Sequence, residues 1–361
     1  MPGTSCFAAS YADARYRFRA AAQAVGAALD AHELPGVLGA DGETLAIDTA
    51  RLGDPAAPAL LLISSGTHGV EGFAGSGAQI ALLADAEVAA AMRSGAVALL
   101  MVHALNPFGF SHLRRANEAN IDLNRNFCDF TSLPPDNVLY AELHPYLLPS
   151  SWPPTPDNTA TLMAFLAKYG MAALQGAISG GQYAFPDGLF YGGRAPAWSH
   201  RVVCDLLQMH GRRRKRLGWI DVHSGLGPSG EAERIHAGGD DRASLARARS
   251  WWGAAVTTAS DGSSRSAATR GELQSVVRDE CPAVEHTGIV LEIGTVPLME
   301  VLTALRAEQW SHNHPEAEAA LGRAGKAMLR AAFYPDTNSW RAQVVEATRA
   351  ATHAALRRLA S

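Results

Sequence analysis

The segment Gly66-Thr67-His68-Gly69-Val70-Glu71-Gly72 follows the apolar run Ala59-Leu60-Leu61-Leu62-Ile63. The apolar run predicts a buried strand, and the glycines after it predict a tight turn. An imidazole and a carboxylate three positions apart in such a turn can bind one metal ion. His68 and Glu71 are therefore candidate metal ligands, although an H-x-x-E pair on its own is also common in surface turns.

A second apolar run ends in a histidine, within Trp219-Ile220-Asp221-Val222-His223-Ser224-Gly225. Alone, His223 is more typical of an ordinary buried histidine. With His68 and Glu71 it completes a recurrent catalytic zinc set that leaves one coordination position open. A water in that position has a lowered pKa, and a carbonyl bound beside it is polarised. We therefore interpret the chain as a hydrolase of amide bonds with one Zn²⁺ per chain, with cobalt or manganese as alternative metals.

A polar segment separates these two motifs: Arg115-Ala116-Asn117-Glu118-Ala119-Asn120-Ile121-Asp122-Leu123-Asn124-Arg125-Asn126-Phe127. A guanidinium can clamp a carboxylate through two parallel hydrogen bonds. It can also stabilise the oxyanion that forms when water adds to an amide carbonyl. Judged by the density of polar residues alone, a solvated loop explains the segment equally well.

A carboxylate ends a third apolar run, Val290-Leu291-Glu292-Ile293-Gly294. Burying a carboxylate without a partner is costly, so its position needs a reason. Near a metal, Glu292 could take a proton from water and pass it to the leaving nitrogen. The alternative is a glutamate that forms a salt bridge at the end of a strand.

The order of the predicted elements indicates an α/β fold with a mixed, mainly parallel central sheet flanked by helices. We expect strands near residues 45–47, 59–64, 97–102, 217–222 and 288–292, and helices near 10–31, 74–93, 159–174, 199–211 and 339–359. Residues 1–361 are interpreted as one catalytic domain. Residues 131–216, which contain Pro134-Pro135, are interpreted as a helical and loop insertion between core strands.

Composition narrows the classes of partner. The net charge is −4, and Arg212-Arg213-Arg214-Lys215-Arg216 is the one dense basic block, so we expect no nucleic-acid partner. The four cysteines are scattered, with no C-x-x-C pair. No apolar run approaches the length of a membrane span. Charged residues near the N-terminus, Asp13, Arg15, Arg17 and Arg19, interrupt any apolar core of a signal peptide, which predicts a cytoplasmic protein without a membrane partner.

Taken in order, these motifs resemble the zinc carboxypeptidase superfamily, which includes the aspartoacylase and succinylglutamate desuccinylase deacylases. The matching residues are His68 and Glu71, then R-x-N-x-x-N-x-D-L-N-R at residues 115–125, then His223 and Glu292. The H-G-V-E-G and D-L-N-R-N-F signatures resemble a bacterial branch of unknown function. The resemblance implies a carboxypeptidase-like fold and hydrolysis of a small peptide or an N-acyl amino acid.

The resemblance also implies a role for each matching residue. His68, Glu71 and His223 would bind the zinc, and Glu292 would act as general base and acid. Three residues of the polar segment would stabilise the oxyanion and bind the free carboxylate of the substrate: Arg115 for the first role, Asn124 and Arg125 for the second. Asp122 would orient a ligand histidine.

One departure concerns a tyrosine that carboxypeptidases place over the substrate. No tyrosine lies between His223 and Glu292 in this chain. Tyr191, or Tyr183, could substitute from the insertion, or either could simply pack within it. The gap leaves two enzymatic hypotheses, a carboxypeptidase-type metallopeptidase and an N-acyl amino acid deacylase. A non-catalytic protein that binds metal or carboxylate is a third.

Other hydrolase and nucleotide-binding classes lack their motifs. The chain has no G-x-S-x-G elbow, which argues against a serine hydrolase of the α/β type. It has no H-E-x-x-H and no Walker loop. The zinc hydrolase is therefore the interpretation that the motifs favour.

Overall fold

The computed structural model describes residues 4–132 and 136–361. Within these ranges the chain forms a seven-stranded sheet. The strands are Ala28–Leu38 (β1), Thr44–Leu52 (β2), Ala59–Ser65 (β3), Val97–His103 (β4), Arg216–Gly225 (β5), Ala232–His236 (β6) and Glu285–Gly294 (β7). Their order across the sheet is β1-β2-β4-β3-β5-β7-β6.

Parallel pairing is confined to the centre of the sheet, where β4, β3, β5 and β7 lie side by side. The outer pairs β1/β2, β2/β4 and β6/β7 are antiparallel. The predicted α/β fold with a mixed sheet is confirmed, and its central strands are buried apolar runs as parallel strands usually are.

Thirteen α-helices are described within the same ranges. They are Tyr11–Ala24 (α1), Gly72–Leu83 (α2), Ala86–Arg93 (α3), Pro107–Ser111 (α4), Val138–Leu147 (α5), Pro156–Tyr169 (α6), Met171–Ser179 (α7), Trp198–Leu206 (α8), Arg242–Trp252 (α9), Val277–Glu280 (α10), Leu298–Asn313 (α11), Ala319–Phe333 (α12) and Asn338–Ala360 (α13).

Helices cover both faces of the sheet. On one face, α1, α2, α9 and α13 bury side chains such as Phe18, Phe73 and Trp340 against the strands. On the other face, α8 and the segment around Leu273 pack over Trp219. Because both faces are covered, the open edge at the carboxyl ends of the central strands is where polar side chains can gather.

The segment between β4 and β5 carries α4 to α8. Leu174 and Ile178 of α7 pack in one apolar cluster with Val301 and Leu305 of α11. The segment therefore borders the carboxyl edge of the sheet from one side. Its definition as an insertion spanning residues 131–216 stays a prediction, and Pro134-Pro135 lies outside the described residues.

Two predicted helices differ from the structure. The helix expected over residues 10–31 ends at Ala24, and residues 28–38 form strand β1 instead. Gly26, at φ 73°, turns the chain, and β1 then pairs with β2. The helix expected over 74–93 is two helices, because Asp85 accepts hydrogen bonds from Glu87 N and Val88 N and so begins α3.

Two further helical predictions are right in kind but not in extent. Residues 159–174 fall in α6 and α7, which Gly170 separates at φ 79°. Residues 199–211 correspond to α8 and a π-helical turn at Leu207–Gly211. The C-terminal helix, α13, and the five predicted strands are confirmed.

Length and polarity together decide whether a helix can span a membrane. In the described parts of the chain, no helix has both the length and the apolar character that crossing requires.

Gly69 allows two backbone segments to approach at the end of β3. A Cβ on Gly69 would lie 2.0 Å from the carbonyl carbon of Gly109. We expect Gly69→Ala to destabilise the fold by about 1–3 kcal/mol, because backbone cannot move aside cheaply. Gly176→Ala is the control, since open space surrounds Gly176 in α7, and it should stabilise by about 0.5–1 kcal/mol. Urea unfolding measures both, and an unchanged midpoint for Gly69→Ala would refute the account.

Candidate metal centre and active site

The candidate ligands lie where the connections of two neighbouring strands diverge. The chain leaves β3 toward β4 on one side and leaves β5 toward β6, beyond β7, on the other. Ligand sites of open α/β sheets lie at such points, at the carboxyl ends of the strands. His68 follows β3, Glu71 ends the 3₁₀ turn Gly69–Glu71, and His223 lies near the end of β5.

The three side chains converge on one point. His68 Nδ1 lies 2.8 Å from Glu71 Oε1 and 3.2 Å from His223 Nδ1, and His223 Nδ1 lies 3.0 Å from Glu71 Oε2. One potential ligand atom of each residue lies within 4.8 Å of the other two. Since all three are at most 3% exposed, they form a compact, buried cluster of nitrogen and oxygen donors.

Each of the two imidazoles has one aspartate beside its Nε2 atom. Asp122 Oδ1 lies 3.1 Å from His68 Nε2, and Asp221 Oδ2 lies 2.5 Å from His223 Nε2. Asp221 is itself fixed, because Ser64 Oγ and Thr67 Oγ1 donate to it. A carboxylate on the distal nitrogen is the usual partner of a metal-bound histidine, since it leaves the other nitrogen free to bind the metal.

The electrostatics of the cluster suit a divalent cation. The carboxyl groups of Glu71, Asp122 and Asp221 surround two imidazoles and the guanidinium of Arg115. Burial alone would raise the pKa of Glu71, but the imidazoles of His68 and His223 outweigh it and hold the pKa far below its usual range. Two histidines and one carboxylate are a donor set that Zn²⁺ accepts, so the residues present fit a zinc ion.

Glu292 lies beside this cluster because β5 and β7 pair in register. His223 and Glu292 are directly paired positions of the two parallel strands. Glu292 Oε1 accepts a hydrogen bond from Leu226 N at 2.8 Å, and the residue is 8% exposed. Burial raises the pKa of Glu292 to about 7, and the negative charge of Glu71 adds to the increase. A carboxyl group with such a pKa can exchange protons near neutral pH.

The structure separates the two neighbouring arginines. Arg114 points away from the site and pairs with Glu308 at 2.8 Å. Arg115 Nε donates to Asp122 at 3.0 Å, and its Nη1 lies 3.3 Å from Glu71 Oε1. Its Nη2 lies 2.7 Å from His68 Nε2 and can donate to that nitrogen only when the nitrogen carries no proton. Arg115 is thus the arginine that faces the cluster.

Asn124 and Arg125 line the wall of the same cavity. Asn124 Oδ1 accepts from Leu273 N, which fixes the amide and leaves its NH₂ group for a ligand. Arg125 Nε and Nη2 both donate to Ser179 O, and Nη1 donates to Asn124 O. A guanidinium has five N–H donors, so one on each terminal nitrogen remains. That pair can bind a carboxylate end-on.

The suggested substrate contact of Tyr191 needs correction. Its ring packs in a small apolar cluster with Ile121, Leu123 and Ala197 and does not line the cavity. Tyr183 is also occupied, because its hydroxyl donates to Arg125 O at 2.7 Å. Among the described residues, no tyrosine lines the cavity. Both tyrosines therefore pack against the polar segment 115–127.

The cavity joins the cluster to the solvent. It measures about 160 Å³, and His68, Glu71, His223 and Glu292 all line it. One side is polar, with Asn124 and Arg125, whereas side chains of α7 and α11 make another side apolar. A pocket of apolar walls with a few convergent polar groups is the usual form of a small-molecule site.

Two residues of the site were not identified from the sequence. Asp221 could have been, because positions two apart on a strand share a face, which aims Asp221 and His223 the same way. Phe190 gave no signal. It adopts φ 53°, rare for a bulky residue, and its ring lies 4.9 Å from the guanidinium carbon of Arg115. The ring thus supports the arginine that faces the cluster.

A family model described as "Protein of unknown function (DUF2817)" matches residues 7–347. The chain belongs to this family. The expected membership of a family of unknown function is confirmed. No curated protein shows a significant sequence match to the chain.

Several solved structures are similar to this chain. Carboxypeptidase A from Helicoverpa armigera is 13% identical, with 90% of this chain and 74% of that chain covered and a TM-score of 0.44. A Shewanella amazonensis SB2B protein described as a metallopeptidase is 17% identical, with coverages of 84% and 92% and a TM-score of 0.44. A second protein from that organism, described as of the succinylglutamate desuccinylase/aspartoacylase family, is 18% identical, with coverages of 78% and 72% and a TM-score of 0.34.

Removing the carboxylate behind His223 should weaken metal binding. We expect Asp221→Asn to lower zinc affinity about 10–100-fold, because the imidazole loses the partner that orients it. Asp85→Asn is a matched control, since Asp85 also pairs with a histidine, His353, at 2.9 Å. Titration against a chelating dye measures both affinities. Equal affinity for wild type and Asp221→Asn would contradict the assigned role.

Proposed function

We propose that this DUF2817 protein is a zinc-dependent hydrolase of the carboxypeptidase type, which cleaves an amide bond next to a free carboxylate. The pairing of His223 with Glu292 carries the proposal, because it puts a carboxyl group with a pKa of about 7 beside the His68–Glu71–His223 cluster. A metal-binding cluster and a proton-exchanging group in one cavity are what hydrolysis requires.

Glu292 would handle the protons of the reaction. A zinc ion held by the three ligands would supply a Lewis acid that polarises the scissile carbonyl and acidifies water. Because Leu226 N occupies Oε1 of Glu292, the other oxygen is available to remove a proton from the attacking water. Glu292 would then deliver that proton to the leaving nitrogen, which departs as a neutral amine.

Arg115 would stabilise the oxygen of the carbonyl under attack. Its Nε–H is fixed by Asp122, while the guanidinium rests near the ring of Phe190. A cation held in this way meets the negative charge that develops on the carbonyl oxygen with little reorganisation. This role needs no contact of Arg115 with the free carboxylate of the substrate.

The free carboxylate would bind at the polar wall, to Arg125 and Asn124. The carbonyl of Ser179 and that of Asn124 hold the guanidinium of Arg125 from two sides, so the fork does not have to be ordered by the substrate. A preordered clamp costs less entropy on binding. The substrate in this proposal is a small peptide or an N-acyl amino acid.

The deacylase alternative has its own support. Segments between His223 and Glu292 contribute small side chains to the cavity, among them Ala259, Ser266 and Ala267. No tyrosine among the described residues covers the site. A peptide substrate extends further on the acyl side of the scissile bond, and no tyrosine ring would cover that part here. An N-acyl amino acid has a smaller acyl side and therefore depends less on such a ring.

Replacing the general base should separate chemistry from metal binding. We expect Glu292→Gln to keep its zinc but to lose about 10²–10⁴-fold in kcat, because an amide cannot exchange the proton. Glu233→Gln is the control, because Glu233 on β6 is the residue paired with Glu292 on β7. The carboxylate of Glu233 accepts hydrogen bonds from Thr257 Oγ1 and Arg265 N and has no role in the proposed reaction.

Glu233→Gln should lose less than tenfold. Metal analysis and turnover of one N-acyl amino acid measure both variants. If Glu292→Gln turned over at the wild-type rate, the assignment of the base would be wrong.

Replacing the guanidinium of Arg125 should reduce the preference of the enzyme for substrates with a free carboxylate. We expect Arg125→Lys to lower kcat/KM for a free-acid substrate about tenfold or more, because a lysine cannot make two parallel hydrogen bonds to one carboxylate. The methyl ester of the same substrate serves as the control and should change little. Competing free acid and ester in one mass-spectrometric assay gives the ratio directly. An unchanged ratio would place the carboxylate elsewhere.

A further inference from the structure

The apolar side of the cavity is built from two helices. Met171, Leu174 and Ile178 of α7 line it, and so do Leu298, Val301, Leu302 and Leu305 of α11. In each set the residues are spaced three or four positions apart along the helix. Each helix therefore presents one continuous apolar face to the cavity. Seven residues of helix correspond to about 10 Å. The cavity therefore has an extended apolar channel beside the metal cluster.

The channel leads away from the polar wall. The last residue of α7, Ser179, accepts the hydrogen bonds of Arg125, whereas Met171 starts the same helix two turns earlier. On the other helix, Val301 packs with Phe333, whose carbonyl accepts from Ser224 next to His223. A substrate whose carboxylate sits at Arg125 can thus pass the metal cluster and extend between α7 and α11.

The walls of the channel offer few hydrogen bonds. The polar residues that α7 and α11 contribute to the cavity are Gln175 and Ser179, and each already donates to a backbone carbonyl, of Arg265 and Gln175 respectively. Backbone groups within the helices are bonded along the helix. The amides of a bound peptide would lose water there without finding partners, which is unfavourable. A hydrocarbon chain has no such groups to satisfy.

Apolar side chains also remain exposed at the mouth. Met171 is 41% exposed and Met299 is 43% exposed, one on each helix, and Leu302 of α11 is half-buried. Exposed apolar side chains grouped at a cavity mark a ligand groove. Methionines adapt to chains of differing shape.

We propose that the substrate is an N-acyl amino acid whose acyl group is a linear aliphatic chain of about eight or more carbons, bound between α7 and α11. This inference rests on the proposed hydrolase function and names its substrate. Water attacks the acyl carbon and the C–N bond breaks. The hydroxyl goes to the fatty acid, and a proton goes to the nitrogen of the released amino acid.

The test compares chain lengths on the zinc-loaded protein, with one amino acid acylated by acetyl, hexanoyl or decanoyl groups. Each buried methylene contributes about fourfold, so burial of only about four of the eight methylenes that distinguish decanoyl from acetyl already gives on the order of 100-fold. We therefore expect kcat/KM for decanoyl to exceed that for acetyl by at least about 100-fold. Met171→Gln combined with Met299→Gln should reduce that ratio at least tenfold. Met328→Gln is the matched control, because Met328 is 42% exposed on α12 and does not line the cavity.

Decanoate binding to the metal-free protein, measured by calorimetry, gives a second readout that needs no turnover. We expect binding to wild type and to Met328→Gln, and at least tenfold weaker binding to the double variant. Turnover without a chain-length preference, or a preference for peptides, would overturn the acyl-chain inference and leave the hydrolase in place. If no substrate turned over, the proposed function would fail. Decanoate binding would then still test whether the channel holds an acyl chain. If decanoate did not bind, the acyl-chain inference would be overturned.

Discussion

Glu71 is 2% exposed, and a carboxylate so deeply buried needs positive or proton-donating partners. Two imidazoles and Arg115 provide them, each delivered by a different part of the chain. This requirement ties together the turn after β3, the end of β5 and the polar segment that follows β4. The same requirement applies to the buried carboxylates of Asp122 and Asp221. The imidazoles and the hydroxyl donors Ser64 and Thr67 provide hydrogen bonds to them.

Much of the site could be predicted because its residues end apolar runs. Residues 59–64 and 217–222 are recognisable as buried strands, and parallel strands place their carboxyl ends at one edge. His68, His223 and Glu292 could therefore be expected at the same edge of the sheet once the fold class was known. The register that pairs His223 with Glu292 could not be read in advance, because parallel pairing depends on the lengths and packing of the connecting helices.

The elements that were missed lack such a signal. Strand β1 begins at Ala28 and follows an alanine-rich helix, so local propensity favours helix until tertiary pairing with β2 decides the outcome. Strand β6, at the edge of the sheet, contains Glu233 and Arg234 and shows no apolar run. The sequence left two interpretations open for Tyr191 for a related reason, since a ring that packs with Ile121 and Leu123 looks in sequence like one that covers a cavity.

We propose that His68, Glu71 and His223 bind a catalytic zinc ion. Anomalous X-ray diffraction at the zinc edge, from crystals grown with Zn²⁺, tests it most directly. The account predicts one strong peak per chain, about 2.0–2.2 Å from Nδ1 of both histidines and from a carboxylate oxygen of Glu71. A peak bound by other residues, or no peak at these three, would contradict it.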